Sequence, residues 1–594
     1  MKNFKRTMFC YEINESYLNQ EVCLAGWVNR RRDLGGLIFV DLRDRSGLMQ
    51  LVFDPTLQFE IMELAHKLRT EFVIGVTGTV INRQGAVNPK ISTGKYELKV
   101  IGLQIFNESE TLPFQLDGEA TVSEELRLKY RYLDIRRKQM HDIIKLRHDV
   151  LHTIRNYFDK HGFYEIETPI LSKSTPEGAR DFLVPSRIQQ GTFYALPQSP
   201  QLYKQLLITG GIERYFQIAR CFRDEALRAN RQLEFTQLDI EMSFIDEQDI
   251  QDLCEKLFKE LWSKFLKHDL ELPLKRYSYD EVFSKYGNDK PDMRFGLEIM
   301  DLTDLFKNLN SDTLSKIIGE NGKVGCICVQ NKKFSRSEID SWIELVTKEL
   351  GGKGLITIRW KESGALDSPI AKSLPDNFFD LAKIAIPGLT QQDTLFIIAG
   401  NYDTSWTILG QLRLGLGKAL NLINKNEHKM FWVTDFPMFE WSEEDQKWAA
   451  KHHPFTSPEQ NWENIDIAKV KARAYDLVYN GEELGGGSIR IHDPIVQKKV
   501  FEKIGINEED AKRKFGFLLE SQTFGYPPDG GIAFGIDRLI MFFAGTDSMR
   551  DVIAFPKTNK GSCLMMENPS TVDESQLKEL GIKSLVEIRP LPKL

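Results

Sequence analysis

The densest chemistry lies between residues 214 and 244. In RYFQIARCFRDEALRANRQLEFTQLDIEMSF, two arms alternate with period two around a charged loop. Successive strand side chains point to opposite faces. Phe235, Gln237, Asp239 and Glu241 therefore share one face, as do Gln217, Ala219, Cys221 and Arg223 on the other arm. A row of Gln, Asp and Glu in an otherwise apolar sheet needs partners, and such a face usually lines a site. The loop adds Arg223, Asp224, Glu225, Arg228 and Arg231, which suit phosphate groups. A solvated hairpin tip would explain the loop but not the polar strand face.

Residues 430–560 carry a second set. A histidine pair stands in Lys451-His452-His453-Pro454. AYDLVYNGEELGGGSIRI sets Asp476 and Glu483 ahead of Gly485-Gly486-Gly487 and Arg490. Glycines allow close approach of a ligand, and the arginine just beyond suggests an anion. Two carboxylates suit Mg²⁺, which binds through a few carboxylates plus phosphate oxygens. GGIAFGIDRLIMFFAG then turns a Gly-rich strand into an apolar helix with Arg538 in its first turn. Each piece alone also fits an ordinary charged loop.

A third set is basic. Asn29-Arg30-Arg31-Arg32-Asp33 is followed by Phe39, Arg43, Arg45 and Gln50. Arginines beside a strand aromatic suit single-stranded nucleic acid: phosphates meet the cations and a base stacks on the ring, for roughly 1–3 kcal/mol. A charged turn beside a core Phe is the equal alternative.

The elements that must position these groups follow from periodicity. EVCLAGWV, LIFVDLRD, LMQLVF, FVIGVTGTVI and YELKVIGLQIF read as five short strands, with a helix at ELAHKLRT. Five such strands predict a small barrel. Residues 113–140 read as a polar connector. Met140, Ile143, Ile144, Leu151, Ile154 and Phe158 recur at helical spacing, with Gly162 as C-cap, and FYEIETPIL reads as a strand with Pro169 at an edge or interface. Residues 290–425 mix strand-like and helix-like pieces and show no catalytic constellation. Gly415-Leu416-Gly417-Lys418 fails as a phosphate loop, because Leu412 and Ala419 replace the required Gly and Ser/Thr; it reads as helix packing.

Composition bounds the class. The 594 residues predict about four domains or a few large ones. Apolar types at 41% and charged types at 27% exclude collagen-like, disordered and disulfide-scaffold chains. No apolar run approaches the roughly 18 residues of a membrane helix, and the first residues lack a signal-peptide pattern, so a cytoplasmic protein is expected. Seven scattered cysteines read as reduced thiols, with Cys326 and Cys328 as core packing and not a zinc site. Net charge is −7, yet residues 1–112 hold 14 Lys/Arg against 13 Asp/Glu, so a local basic patch keeps RNA open as a partner.

In this order the pieces resemble a class II aminoacyl-tRNA synthetase, and more narrowly its bacterial, aspartate-specific branch. The likeness covers essentially the whole chain. The class motifs are the long helix with FYEIETPIL, the hairpin with Phe222-Arg223-Asp224-Glu225, and GIAFGIDRL. STPEGARDFLVP, LPQSPQLYKQLL, FTQLDIEMSF, KHHPF and ELGGGSIR are the aspartate-specific pieces. The resemblance implies an α+β multidomain fold: an N-terminal OB-fold β-barrel that binds the anticodon (1–112), a hinge (113–140), an antiparallel-sheet catalytic domain in two parts (141–289 and 426–560), an inserted α/β domain of the GAD type (290–425), and a C-terminal extension (561–594). It also implies a homodimer with Pro169 at the interface.

The implied activity is ATP-dependent attachment of L-aspartate to tRNA(Asp) through aspartyl-adenylate, with Mg²⁺. The resemblance gives Arg223 and Arg538 the catalytic charges. It gives ATP to Arg223, Asp224, Glu225, Gln232, Phe235, Glu483, Gly535, Ile536, Asp537 and Arg538, with adenine between Phe235 and Arg538. Asp476 and Glu483 would hold the metal. Aspartate falls to Glu177, Ser199, Gln201, Lys204, Arg223, Gln237, Asp239, His452, His453 and Arg490, with His452 favoured over His453 for the direct contact. Asparagine is nearly isosteric with aspartate, so charge must discriminate: it would leave Arg490 and Lys204 desolvated and unpaired. In the barrel, Arg32, Phe39, Gln50 and Glu97 match anticodon readers. Relatives that also charge tRNA(Asn) often have histidine after the Arg-Asp of this loop; here it is Leu34, implying tRNA(Asp) alone. A sibling ligase for asparagine or lysine, or an inactive RNA-binding relative, are the rivals; retention of Arg223, Arg538, Arg490 and Lys204 speaks against both.

Overall fold

Alternation of buried and outward residues in its first two strands starts the barrel. In a computed structural model, which describes residues 4–117, 121–175, 178–307 and 312–586, the strands Glu21–Leu34, Leu37–Asp44, Gly47–Phe53, Val73–Asn82 and Tyr96–Asn107 close on themselves. Val22, Leu24 and Val28 of the first strand meet Ile38, Val40 and Leu42 of the second in the sealed interior. The helix between strands runs Phe59–Lys67.

This barrel belongs to one compact unit, residues 1–142; residues 143–594 form another. The connector of the first unit is more ordered than a loose polar linker. Arg127, Arg131 and Arg137 converge on the buried Asp134 carboxylate, at 3.1, 2.7 and 3.4 Å. These four charges pair with one another, which a reading of polarity alone does not reveal.

In the second unit an eight-stranded sheet runs in the order Lys275–Ser278, Met430–Thr434, Ala474–Tyr479, Glu482–Ile489, Asp529–Gly535, Glu234–Ser243, Arg214–Phe222, Tyr164–Glu165. The six middle strands are antiparallel, and each edge strand pairs parallel to its neighbour. Period two sorts the faces. Met430, Trp432, Tyr475, Leu477, Leu238 and Ile240 pack under the helices Lys138–Lys160 and Glu247–Leu261, with Phe158 and Phe258 among their contacts. Their neighbours Phe431, Val433, Ala474 and Val478 enter a separate core on the other side. FYEIETPIL forms a strand only at Tyr164–Glu165. Pro169 lies outside it and is exposed, since it has no N–H for a ladder.

The inserted segment holds a five-stranded sheet in the order Ile299–Asp301, Lys323–Val329, Thr394–Gly400, Ile356–Trp360, Leu366–Asp367. It mixes α and β as expected, but every pairing is antiparallel. Cys326 and Cys328 are free and buried in its core. Gly415–Lys418 lies within the helix Tyr402–Ala419.

Candidate functional site

The polar face of Glu234–Ser243 carries the centre of the site. Its register sets Gln237, Asp239 and Glu241 opposite Ala219, Gln217 and Tyr215 on one side and Gly535, Ala533 and Gly531 on the other. The glycine serves the carboxylate: a Cβ at Gly531 would fall 1.9 Å from Glu241 Oε2. Glu241 is wholly buried and holds two cations. Arg490 donates Nε to Oε1 at 2.7 Å and Nη2 to Oε2 at 3.1 Å, and Lys204 Nζ lies 3.1 Å from Oε2. Lys204, from the helix Gln201–Thr209, also reaches Asp239 Oδ1 at 3.3 Å.

These groups tune one another. Burial works against the Glu241 charge, but Arg490 and Lys204 prevail and lower its pKa. Burial raises the Asp239 carboxyl despite Lys204, and Asp239 Oδ2 has no hydrogen-bond partner among the described residues. Asp529 is pushed well up by burial and then by Glu241, and Tyr526 donates its hydroxyl to Oδ2 at 2.8 Å. His453 is held neutral by burial and by Arg490, whose Nη1 lies 2.6 Å from Nε2 and 2.6 Å from Ser488 Oγ.

A cavity of about 420 Å³ opens above this network. Ser199, Gln201, Lys204, Arg223, His452, His453, Asp476, Glu483 and Arg490 line it, together with Lys451, Ser488 and Asp289. His452 presents a buried Nε2 with no hydrogen-bond partner among the described residues, as does Gln201 at Nε2; His453 is committed to Arg490. Burial and then Lys451 push the His452 pKa down to about 4. Glu177 lies outside the described residues.

Asp476 and Glu483 sit together at the other wall. A Cβ on Gly486 would lie 2.5 Å from Asp476 Oδ1, so the glycine leaves room for that carboxylate. Burial, then Glu483 and Asp289, push Asp476 far up: the pair lacks enough positive charge. A divalent cation would supply it, and Asp476 and Glu483 are carboxylates of the kind that Mg²⁺ takes. Lys290 Nζ stands 3.4 Å from Glu483 Oε2.

The hairpin groups take definite places. Arg223 lies 5.1 Å over the Phe235 ring, with its buried Nε unpartnered. Arg538 donates Nη1 to the Glu483 carbonyl. Asp224 faces Arg180 at 3.8 Å, Glu225 pairs with Arg231 at 2.8 Å, and Gln237 accepts from Cys221 Sγ at 3.2 Å. Gln232 accepts from Lys557 N at 3.0 Å. Gly535 caps the helix Ile536–Ala544, and the Ile536 side chain enters the core. Asp537 is buried, its Oδ1 accepting from Arg147 Nη1 at 2.5 Å and its Oδ2 from Thr236 N at 2.8 Å, so its side chain ties helix to strand.

In the barrel, Arg32 donates to Gln50 at 3.3 Å and to Asp41 at 2.9 Å, and Gln50 donates to Glu97 at 2.9 Å. Phe39 lies directly across from Arg32. Arg83, which sequence reasoning missed, donates to Gln50 at 2.5 Å. Leu34 stands at the tip of the first hairpin, 66% exposed.

A buried two-cation pocket beside a phosphate-suited wall, on a sheet of this topology, defines a class II synthetase site. Family models agree: the class II tRNA synthetases specific for D, K and N match residues 123–559, and an OB-fold nucleic-acid-binding domain matches 22–106. The chain belongs to the class II aminoacyl-tRNA synthetases, within their family of aspartate–tRNA ligases. The aspartate–tRNA ligase of Macrococcus caseolyticus is 47% identical over 98% of this chain and 99% of its own. The aspartate–tRNA(Asp/Asn) ligase of Aquifex aeolicus is 48% identical over the same shares. A crystal structure of asparaginyl-tRNA synthetase from Pyrococcus horikoshii, complexed with asparaginyl-adenylate, shares the fold at TM-score 0.58 and 21% identity, over 94% of this chain and 99% of that one.

Proposed function

We propose that the chain joins L-aspartate to ATP as aspartyl-adenylate, releasing pyrophosphate, and then passes the aspartyl group to the 3′ end of tRNA(Asp), releasing AMP. The observation that carries this reading is the Glu241-backed pair Arg490 and Lys204 at the cavity wall. Glu241 keeps both cations charged while they are buried. One substrate carboxylate offsets their remaining charge; a neutral amide does not.

The substrate α-carboxylate is already a nucleophile, so the protein's work is positioning and charge stabilisation. Arg223 neutralises the α-phosphate as charge develops. Phe235 stacks the adenine, and Arg538 closes the other face. Asp239 Oδ2 takes the substrate ammonium, and Gln201, Ser199, Gln237 and His452 fix its orientation. Asp476 and Glu483 would hold Mg²⁺, which would supply charge neutralisation at the phosphates.

The Arg32–Gln50–Glu97 chain beside Phe39 supports anticodon reading by the barrel. Leu34 has no hydrogen-bonding group to offer a base, which supports charging of tRNA(Asp) alone; the Aquifex relative's name favours the alternative of charging tRNA(Asn) as well. Tyr164, Ile170 and Leu171 are exposed apolar neighbours of Pro169, which supports a homodimer through this edge. Among the described residues no helix is long and apolar enough to cross a membrane, and the reading places the enzyme in the cytoplasm. Aminoacylation of tRNA(Asp) and tRNA(Asn) transcripts with labelled aspartate, ATP and Mg²⁺ tests this. Charging of tRNA(Asp) alone is expected. Charging of both refutes the Leu34 argument, and charging of neither by folded protein refutes the reading.

A further inference from the structure

The inserted domain reaches the active site through residues 287–296. Its helix Tyr402–Ala419 lies so close that a Cβ on Gly287 would fall 1.8 Å from the Trp406 carbonyl oxygen, and one on Gly410 would fall 2.5 Å from that of Tyr286. Arg413 of this helix is buried without a carboxylate partner among the described residues. Its Nη2 donates to the carbonyls of Asp292, Phe295 and Gly296 at 2.9, 2.7 and 2.8 Å, and its guanidinium lies 4.0 Å over the Phe295 ring. On its far side the segment meets the turn that leads into Glu483, where a Cβ on Gly481 would sit 3.0 Å from Asp292 Cβ. Between these anchors, Asp289 lines the cavity and Lys290 Nζ stands 3.4 Å from Glu483 Oε2.

The Lys290–Glu483 pair is a poor stabilising device. The side chains are 41% and 36% exposed, and ion pairs that wet contribute little to stability. The placement, however, is specific: a compact ammonium on a flexible stem, at the carboxylate pair where nucleotide phosphates are expected. Lysine binds phosphate as such a point charge. The geometry points to Lys290 as a further substrate-binding residue of adenylate formation, taking the phosphates of ATP and of leaving pyrophosphate, with Arg413 of the inserted domain as its positioning residue.

This inference rests on the proposed ATP-dependent activation of aspartate, so aspartate-dependent ATP–pyrophosphate exchange by the wild-type enzyme comes first. Absence of exchange there fails that reading and not this one. With exchange present, Lys290→Ala should raise KM for ATP and for pyrophosphate about tenfold, the loss of one charge-assisted contact, with KM for aspartate unchanged. Lys290→Arg should recover part of it. Wild-type KM for both phosphate substrates in Lys290→Ala overturns the inference. Arg413→Met should raise KM for ATP when Lys290 is present and add nothing to Lys290→Ala; additive effects overturn the positioning role. Should Arg413→Met not fold, Gly410→Ala, which pushes the helix off the Tyr286 carbonyl, serves in the same double-mutant comparison.

Discussion

Arg490 and Glu241 stand 249 residues apart in sequence and face each other through two hydrogen bonds inside the catalytic sheet, at 2.7 and 3.1 Å. Lys204 joins the same carboxylate from a third element. The two cations proposed to select the substrate are thus held by a group that never needs to touch it.

Glu241→Gln therefore tests support rather than contact. Removing one partner of a buried ion pair costs about 3–5 kcal/mol, because the other charge stays buried and uncompensated. The variant should melt at lower temperature, and KM for aspartate should rise while KM for ATP stays near wild type. Thermal melting and pyrophosphate exchange measure the two effects. An unchanged KM for aspartate would remove Glu241 from the account.

The histidine pair predicts a pH dependence of stability. Burial pushes His452 from the ordinary 6.5 down to about 4, and burial with Arg490 pushes His453 well below 6.5. Below pH 6.5 the unfolded chain takes up protons that the folded chain refuses. Their contribution is complete above pH 6.5 and is lost as pH falls toward 4, at up to about 1.4 kcal/mol per pH unit for each group. His452→Gln should flatten this acid-side decline in melting temperature. Comparing the two proteins isolates the histidine from Asp476 and Asp529, whose raised values act in the opposite sense. Identical slopes would mean that His452 is protonated in the folded protein.

Much of this was legible in the sequence. Five short β-branched or aromatic runs predicted the barrel, and period two predicted that Gln237, Asp239 and Glu241 share a face. The role of Glu241 was not legible, because its partners come from a helix and from the residue just past a strand, 249 residues later. The tie between Asp537 and Arg147 was not legible for a related reason: 390 residues separate the two. Lys290 escaped notice because residues 290–425 read as a separate insert, and only the fold brings their first residue to Glu483. The glycines pointed to close approach, but the structure shows the approaching groups to include the protein's own carboxylates, Glu241 and Asp476.

In the barrel, Phe39→Ala should weaken tRNA charging without touching adenylate formation. Loss of one base–aromatic stack is worth roughly 1–3 kcal/mol, so KM for tRNA should rise at least about fivefold. Pyrophosphate exchange, which needs no tRNA, should keep its wild-type rate. Equal loss of both activities would make Phe39 a structural residue.

Leu34→His tests the reading of tRNA identity. A histidine at this exposed hairpin tip offers a donor and an acceptor where leucine offers neither. The variant should gain charging of tRNA(Asn) while retaining tRNA(Asp). Unaltered selectivity would place discrimination elsewhere in the barrel.

The most direct test of the central claim compares aspartate with asparagine in ATP–pyrophosphate exchange by the wild-type enzyme. A site whose buried cations require a carboxylate should favour aspartate in kcat/KM by roughly 10⁴, as expected where the wrong substrate leaves buried polar groups unpaired. Asparagine activation within tenfold of aspartate would contradict the assignment of Arg490 and Lys204 as the carboxylate-selecting pair.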